Sequence, residues 1–257
     1  MEYLAAAGRR LEFRWIAPGH TGAPTLVFLH EALGSAGLWR DFPDRVAERT
    51  GAAALVYSRA GHGRSEPASG TRGAEHFAEE ALVVLPEVLA ERDIARPILV
   101  GHSDGATIAL VHAASAVSTA RALILEAPHV FIEDVTLAGV ASARAAFGNG
   151  SLRQRLARWH DHVDPLFSRW ADTWLDPAFR DWSMERMLAE VRCPALLIQG
   201  ELDEYGTVAQ LDAIRRRVTG PAESLVLPGA GHAPHGERPA EVLDAVAGFL
   251  ARLAGSV

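Results

Sequence analysis

Short runs of apolar residues, each bounded by glycine, proline or polar residues, alternate along the chain with longer stretches whose apolar residues recur every three or four positions. The short runs fall at 11–16, 25–30, 52–57, 98–101, 122–126, 195–199 and 224–227. Most are apolar at successive positions, as strands buried on both faces of a parallel sheet must be. Gly8-Arg9 reads as the turn of an opening hairpin. The stretches at 38–49, 77–92, 103–114, 208–217 and 240–253 carry helical periodicity. Strand and helix in alternation predict an α/β fold: a mostly parallel central sheet with helices on both faces.

One stretch breaks the alternation. Residues 129–191 contain no strand-like run, are helical in period and are rich in rings, among them Phe131, Phe147, Trp159, Phe167, Trp170, Trp174, Phe179 and Trp182. The expected organisation is therefore a core of residues 1–128 and 192–257, with a helical cap, 129–191, inserted between two sheet strands.

Composition adds exclusions. At 257 residues, 49% hydrophobic and 22% charged, the chain can bury a sizeable core. A formal charge of −7 argues against nucleic-acid and anionic-membrane partners, which need clustered cations. The N-terminal stretch lacks a basic segment followed by a long apolar core, so no secretory leader is expected. No apolar run approaches the roughly 18 residues that span a bilayer. A cytoplasmic protein is expected. The single cysteine, Cys193, reads as a small residue at the core edge.

Gly101-His102-Ser103-Asp104-Gly105 follows a strand and opens a helix. A serine between glycines at that junction sits in a sharp turn that lifts its hydroxyl above the sheet, and the first helical N–H groups face any oxyanion formed there. A hydroxyl needs a base to become nucleophilic. Gly229-Ala230-Gly231-His232 follows the last strand, and we assign His232 over its neighbour His235. The imidazole in turn needs a carboxylate. Asp203, just past the 195–199 strand, is assigned over Glu201 and Glu204; Glu126, at the end of the 122–126 strand, is the separate rival.

These residues resemble the α/β-hydrolase superfamily over nearly the whole chain. The resemblance is carried by Leu29-His30-Glu31-Ala32-Leu33-Gly34-Ser35, by Ser58-Arg59-Ala60-Gly61-His62-Gly63-Arg64-Ser65, by the serine turn, by 200–203 and by Gly231-His232. Within the second segment Ser58 stands where the family usually has an acid. The resemblance implies a catalytic triad of Ser103, Asp203 and His232, with an oxyanion hole made by the backbone N–H groups of Glu31 and Asp104. Glu31 replaces the glycine usual after that histidine. Glu31 and Asp104 would bring two carboxylates near a developing negative charge, so each must point away, pair with a cation or be held neutral by burial.

The function expected is hydrolysis of a small to medium carboxylic ester through an acyl-enzyme. The alternatives are carbon–carbon bond hydrolysis of vinylogous diketones on the same triad, or a non-catalytic ligand-binding member of the fold. A dehalogenase would need a carboxylate at position 103. His129, Phe131, Trp159 and Trp170 are the candidate lining residues of a small-molecule pocket under the cap. No phosphate-binding glycine loop appears, so no cofactor is expected. His160-Asp161-His162 reads as a solvated helix face, so no metal is expected either.

Overall fold

The apolar runs pair into one eight-stranded sheet in the computed structural model of the chain, which describes residues 2–68, 72–73 and 75–255. The strands are β1 (Glu2–Ala6), β2 (Arg9–Ile16), β3 (Thr25–Leu29), β4 (Ala53–Tyr57), β5 (Ile98–His102), β6 (Ala122–Glu126), β7 (Ala195–Gly200) and β8 (Ala222–Leu227), in the order β1-β2-β4-β3-β5-β6-β7-β8. β1–β2 and β2–β4 pair antiparallel; the other neighbours are parallel. The opening turn is Ala7-Gly8, both at positive φ, one residue earlier than the sequence suggests, and β2 accordingly starts at Arg9.

Alternate residues of β3 enter different cores. Val27 and Leu29 pack on one face of the sheet; Leu26 and Phe28 pack on the other. Burial on both faces is why these runs lack polar alternation. The helices are α1 (Phe42–Thr50), α2 (Glu75–Glu79), α3 (Leu85–Glu91), α4 (Asp104–Ala113), α5 (Asp134–Gly148), α6 (Ser151–Leu156), α7 (Val163–Trp174), α8 (Ala209–Arg217), α9 (Pro234–Glu237) and α10 (Pro239–Ala254). α1 and α10 cover the face built on Leu26 and Phe28, through Phe42, Val46, Val242, Val246 and Phe249. α3, α4 and α8 cover the other.

Two helices differ from their sequence pattern. α1 begins at Phe42 rather than at Leu38, because Pro43 is well placed only in a first helical turn. The 77–92 pattern becomes α2 and α3 joined by a wider π turn, Glu80–Val84, directly before Pro86, which has no N–H for the usual ladder.

The chain between β6 and β7 is helical, with α5, α6 and α7, two 3₁₀ turns and one isolated bridge between Phe131 and Ser183. It leaves the sheet at the carboxyl end of β6, the edge where open α/β sheets place their ligands, and returns to the amino end of β7.

Close backbone approach sets the spacing of the sheet ends. A methyl on Gly200 would stand 2.0 Å from the Gly231 carbonyl oxygen, and one on Gly105 would stand 1.9 Å from that of Leu29. Gly148, near the end of α5, has open space around it. Gly105→Ala should therefore lower unfolding stability by about 3 kcal/mol or more, through overpacking against backbone. Gly148→Ala should raise stability by up to about 1 kcal/mol. Urea unfolding of the two variants checks the contrast; equal stabilities would refute it.

Candidate active site

Ser103 joins β5 to α4 with φ 52° and ψ −114°. An L-residue avoids that region, and the cost is of order 1–3 kcal/mol. The flanking glycines permit it. A Cβ on Gly101 would lie 2.5 Å from the Gly105 carbonyl oxygen, so the turn closes only without one. The Ser103 N–H donates to the Glu126 carbonyl at 2.8 Å, which ties the turn to the neighbouring strand end.

His232 follows β8 in the Gly231 loop. Its Nδ1 lies 2.9 Å from each carboxylate oxygen of Asp203. A carboxylate only accepts, so Nδ1 is the protonated nitrogen and Nε2 keeps its lone pair. Asp203 also accepts from the N–H groups of Tyr205 (2.8 Å) and Gly206 (3.3 Å) and from Gln199 Nε2 (2.6 Å). Burial works against its charge, but the His232 hydrogen bond and charge and the backbone donors outweigh burial and hold its pKa below the ordinary value. Burial likewise opposes the His232 imidazolium. The bond and charge of Asp203, with Glu31 and Glu204, outweigh it and raise the His232 pKa. His102 Nε2 meets the His232 carbonyl at 2.7 Å, bracing the loop from below.

The two rivals of the sequence reading pair with each other. Glu126 Oε2 accepts from His235 Nδ1 at 2.8 Å and from the His235 N–H at 3.2 Å. The His235 ring packs on Trp39, with centroids 4.6 Å apart, and on Phe42.

Glu31 and Asp104 meet their charge problem differently. The buried Asp104 carboxylate receives Arg72 Nη2 and lies 3.9 Å from Arg59 Nη2, so it is matched by two cations. Glu31 Oε2 accepts the Leu33 N–H at 2.7 Å, and burial raises its pKa.

Ser103, Asp104, Glu31 and His232 open into one cavity of about 350 Å³. His129 and Trp170 line it as the sequence suggests; Phe131 and Trp159 do not. Phe131 is turned toward the bridge with Ser183, its backbone held by Gln210. Trp159 lies beyond the end of α6, where its ring packs on Gly37 and faces a separate cavity shared with Glu12, Arg14 and Arg64.

The wall also includes Leu152, Leu156, Trp174, Tyr205 and Arg155. Spacing carried a signal for three of these: Trp174 is four residues after Trp170 on α7, and Leu152 and Leu156 are four apart on α6. Tyr205 carried none, yet its ring centroid is 4.7 Å from that of His232. The His129 ring stands 5.8 Å from that of His232. Burial first, and then the His232 charge, push the His129 pKa down to about 4, so His129 is neutral at neutral pH.

His160 is not on a solvated helix face. It is a buried loop residue: its Nδ1 accepts the Gly63 N–H at 2.9 Å, and its Nε2 meets the Leu33 carbonyl at 2.9 Å. Among the described residues, no group of three or more His, Cys, Asp or Glu could hold a metal ion. Nor is any helix there long and apolar enough to cross a membrane.

Known proteins resemble the chain in sequence and fold. The chain is 25% identical to the 2-succinyl-6-hydroxy-2,4-cyclohexadiene-1-carboxylate synthase of Salmonella agona, over 91% of this chain and 96% of that protein. Its fold superposes on the enol-lactonase of Burkholderia xenovorans LB400 with a TM-score of 0.78 at 22% identity, covering 97% of this chain and 100% of the other. A thermophilic esterase from Thermogutta terrifontis matches with a TM-score of 0.72 at 18% identity, over 98% and 99%. The sequence profile of the alpha/beta hydrolase family matches residues 26–245, and the chain belongs to that family.

Proposed function

We propose that the protein is a serine hydrolase that cleaves a small to medium neutral carboxylic ester through an acyl-enzyme. The observation that carries this reading is the Asp203–His232 pair opening into the same cavity as a strained, glycine-flanked serine. In this mechanism Ser103 Oγ attacks the ester carbonyl carbon and its proton passes to His232 Nε2. The carbonyl oxygen becomes an oxyanion that accepts from the N–H groups of Glu31 and Asp104. Collapse breaks the bond to the alkoxy oxygen, which takes the proton from His232. Water then repeats the sequence on the acyl-enzyme and releases the acid. Asp203 holds the His232 tautomer and offsets the imidazolium charge.

Residues 129–191 serve as the cap in this reading, supplying His129, Leu152, Leu156, Trp170 and Trp174 to the acyl pocket. A closed wall of this kind suits a short apolar body. Charge narrows the class further. Glu204 and Glu237 face the cavity against Arg155, while Asp104 is already matched by Arg59 and Arg72. An anionic substrate is repelled there. That separates this chain from the Salmonella relative, whose named product is a carboxylate. A carbon–carbon bond hydrolase on the same triad is the second reading, since the relative is not named an esterase.

Ser103→Ala and His232→Ala should each lower kcat/KM on a p-nitrophenyl ester by roughly 10⁴-fold or more with the fold intact. Near-parental turnover in Ser103→Ala would sink the mechanism.

Asp203→Asn should cost roughly 10³-fold or more, and Glu126→Gln less than about tenfold. The base must be unprotonated, and the His232 pKa is raised, so kcat/KM should fall as pH drops through a midpoint above the ordinary imidazole value of about 6.5. The residual activity of Asp203→Asn should carry this acid limb to lower pH. A limb that stays put, or a larger loss in Glu126→Gln, reverses the assignment.

Across a panel of esters, activity should peak at short acyl groups, fall beyond medium length, and drop at least about tenfold when an acyl chain of equal size ends in a carboxylate. A vinylogous diketone assayed beside them tests the second reading. Preference for long-chain triglycerides would contradict the closed pocket.

A further inference from the structure

We infer that Arg59 is a positioning residue for the oxyanion hole: its buried guanidinium ties the His30–Glu31 backbone to the Asp104 carboxylate and so aims both N–H donors at one point. The inference rests on the serine-hydrolase reading and gives that reading a part no triad residue supplies.

The two donors come from unrelated places. Glu31 lies in the loop after β3, and Asp104 is the first residue of α4. Arg59, just after β4, has no exposed side-chain surface. Its Nη1 donates to the His30 carbonyl at 2.6 Å, and its Nη2 donates to the Glu31 carbonyl at 3.2 Å. The same Nη2 stands 3.9 Å from Asp104 Oδ2. The Arg59 backbone N–H donates to His30 Nε2 at 3.0 Å. Nδ1 of that ring must then carry the proton, and it donates to the Glu31 carbonyl at 2.7 Å.

Peptide planarity turns these contacts into aim. The His30 carbonyl and the Glu31 N–H belong to one planar trans unit and point in opposite directions. An arginine that fixes the carbonyl oxygen from behind fixes the direction of the N–H in front. On the other side, Asp104 is the residue whose own N–H is the second donor. Arg72 donates to its carboxylate and Arg59 attracts it across 3.9 Å, and the two together resist rotation of the first turn of α4. A lysine cannot do this, because one ammonium lacks the planar fork that donates to two carbonyls and keeps its charge beside the carboxylate. The buried charge is tolerated because Asp104 and Glu80 oppose it: burial lowers the Arg59 pKa, and those two carboxyls push it back up.

The test uses the full chain as Arg59→Lys and as the double variant Arg59→Met with Asp104→Asn. The double variant removes one cation and one carboxylate together and leaves Arg72 and Glu80 as the opposite charges of the network, so the buried charge stays balanced. Three quantities are compared with the parent: kcat and KM on a short ester, the melting temperature, and affinity for a trifluoromethyl ketone. That ketone adds to the serine and forms an oxyanion; the matching secondary alcohol cannot, and serves as control. Expected is a roughly 10- to 100-fold loss in kcat, the scale of a displaced oxyanion donor, with KM within about twofold. Affinity for the ketone should fall in proportion to kcat, while that for the alcohol holds. A folded variant that keeps parental ketone affinity overturns the inference, whatever its melting temperature. Fluorophosphonate labelling of the parent separates the two levels. If Ser103 is labelled and the variants still bind the ketone, only the role of Arg59 fails. If Ser103 is not labelled, the serine-hydrolase reading fails and the inference goes with it.

Discussion

A left-handed serine between two glycines is the constraint on which the rest of the site depends. Nothing local favours φ 52° at Ser103, so the surrounding structure must enforce it. Enforcement comes from the approach of α4 to β3, so close that Gly105 has no room for a methyl beside the Leu29 carbonyl. It comes also from the bond between the Ser103 N–H and the Glu126 carbonyl. The sheet core then fixes β3, β5 and β6 as a block, through side chains buried on both faces. Removing that packing would let the turn relax and lower the hydroxyl.

The serine turn also sets where buried charge can sit. Starting α4 at Asp104 puts a carboxylate in the interior, at 1% exposure, where an unpaired ion is untenable. Arg59 and Arg72 answer it, and Glu80 answers Arg59 in turn; burial raises the Glu80 pKa to about 7. The carboxyl at the helix start, which looked like an obstacle to an oxyanion, thus becomes the anchor of a cation network. Such networks contribute little net stability, but each member loses heavily if its partner goes, and that fixes geometry.

The parts legible in sequence were those whose signal is local. Strand runs, the glycine-flanked serine, the acid past β7 and the histidine past β8 each announce themselves within a few residues. The cavity wall between β6 and β7 is different, because lining depends on which face of a short helix turns inward. Trp170 points to the cavity from within α7, whereas Trp159 follows the end of α6, where helical spacing no longer predicts direction. Partners far apart in sequence were also invisible. Ser58, where the family usually has an acid, donates to Glu12 Oε1 at 2.6 Å, so a carboxylate from β2 stands beside that position. Neither residue alone suggests that contact.

The second acid–histidine pair shows why pairing alone does not make a base. Glu126–His235 matches Asp203–His232 in donor geometry, at 2.8 Å against 2.9 Å. The difference lies in what each ring faces. His232 opens into the cavity that holds Ser103, beside Tyr205 and His129. His235 faces a different cavity, lined by Trp39, Phe42 and Arg45, that Ser103 does not line. Asp203 has a donor on each oxygen, while Glu126 Oε1 is buried without a hydrogen-bond partner among the described residues. A carboxylate that accepts on both oxygens is held as an ion and can stabilise an imidazolium. One that accepts on a single oxygen, from a backbone N–H and the ring of the same residue, is suited to fixing a loop. Glu126 does that from both ends: its carbonyl holds the Ser103 N–H, and its side chain holds the segment that follows His232.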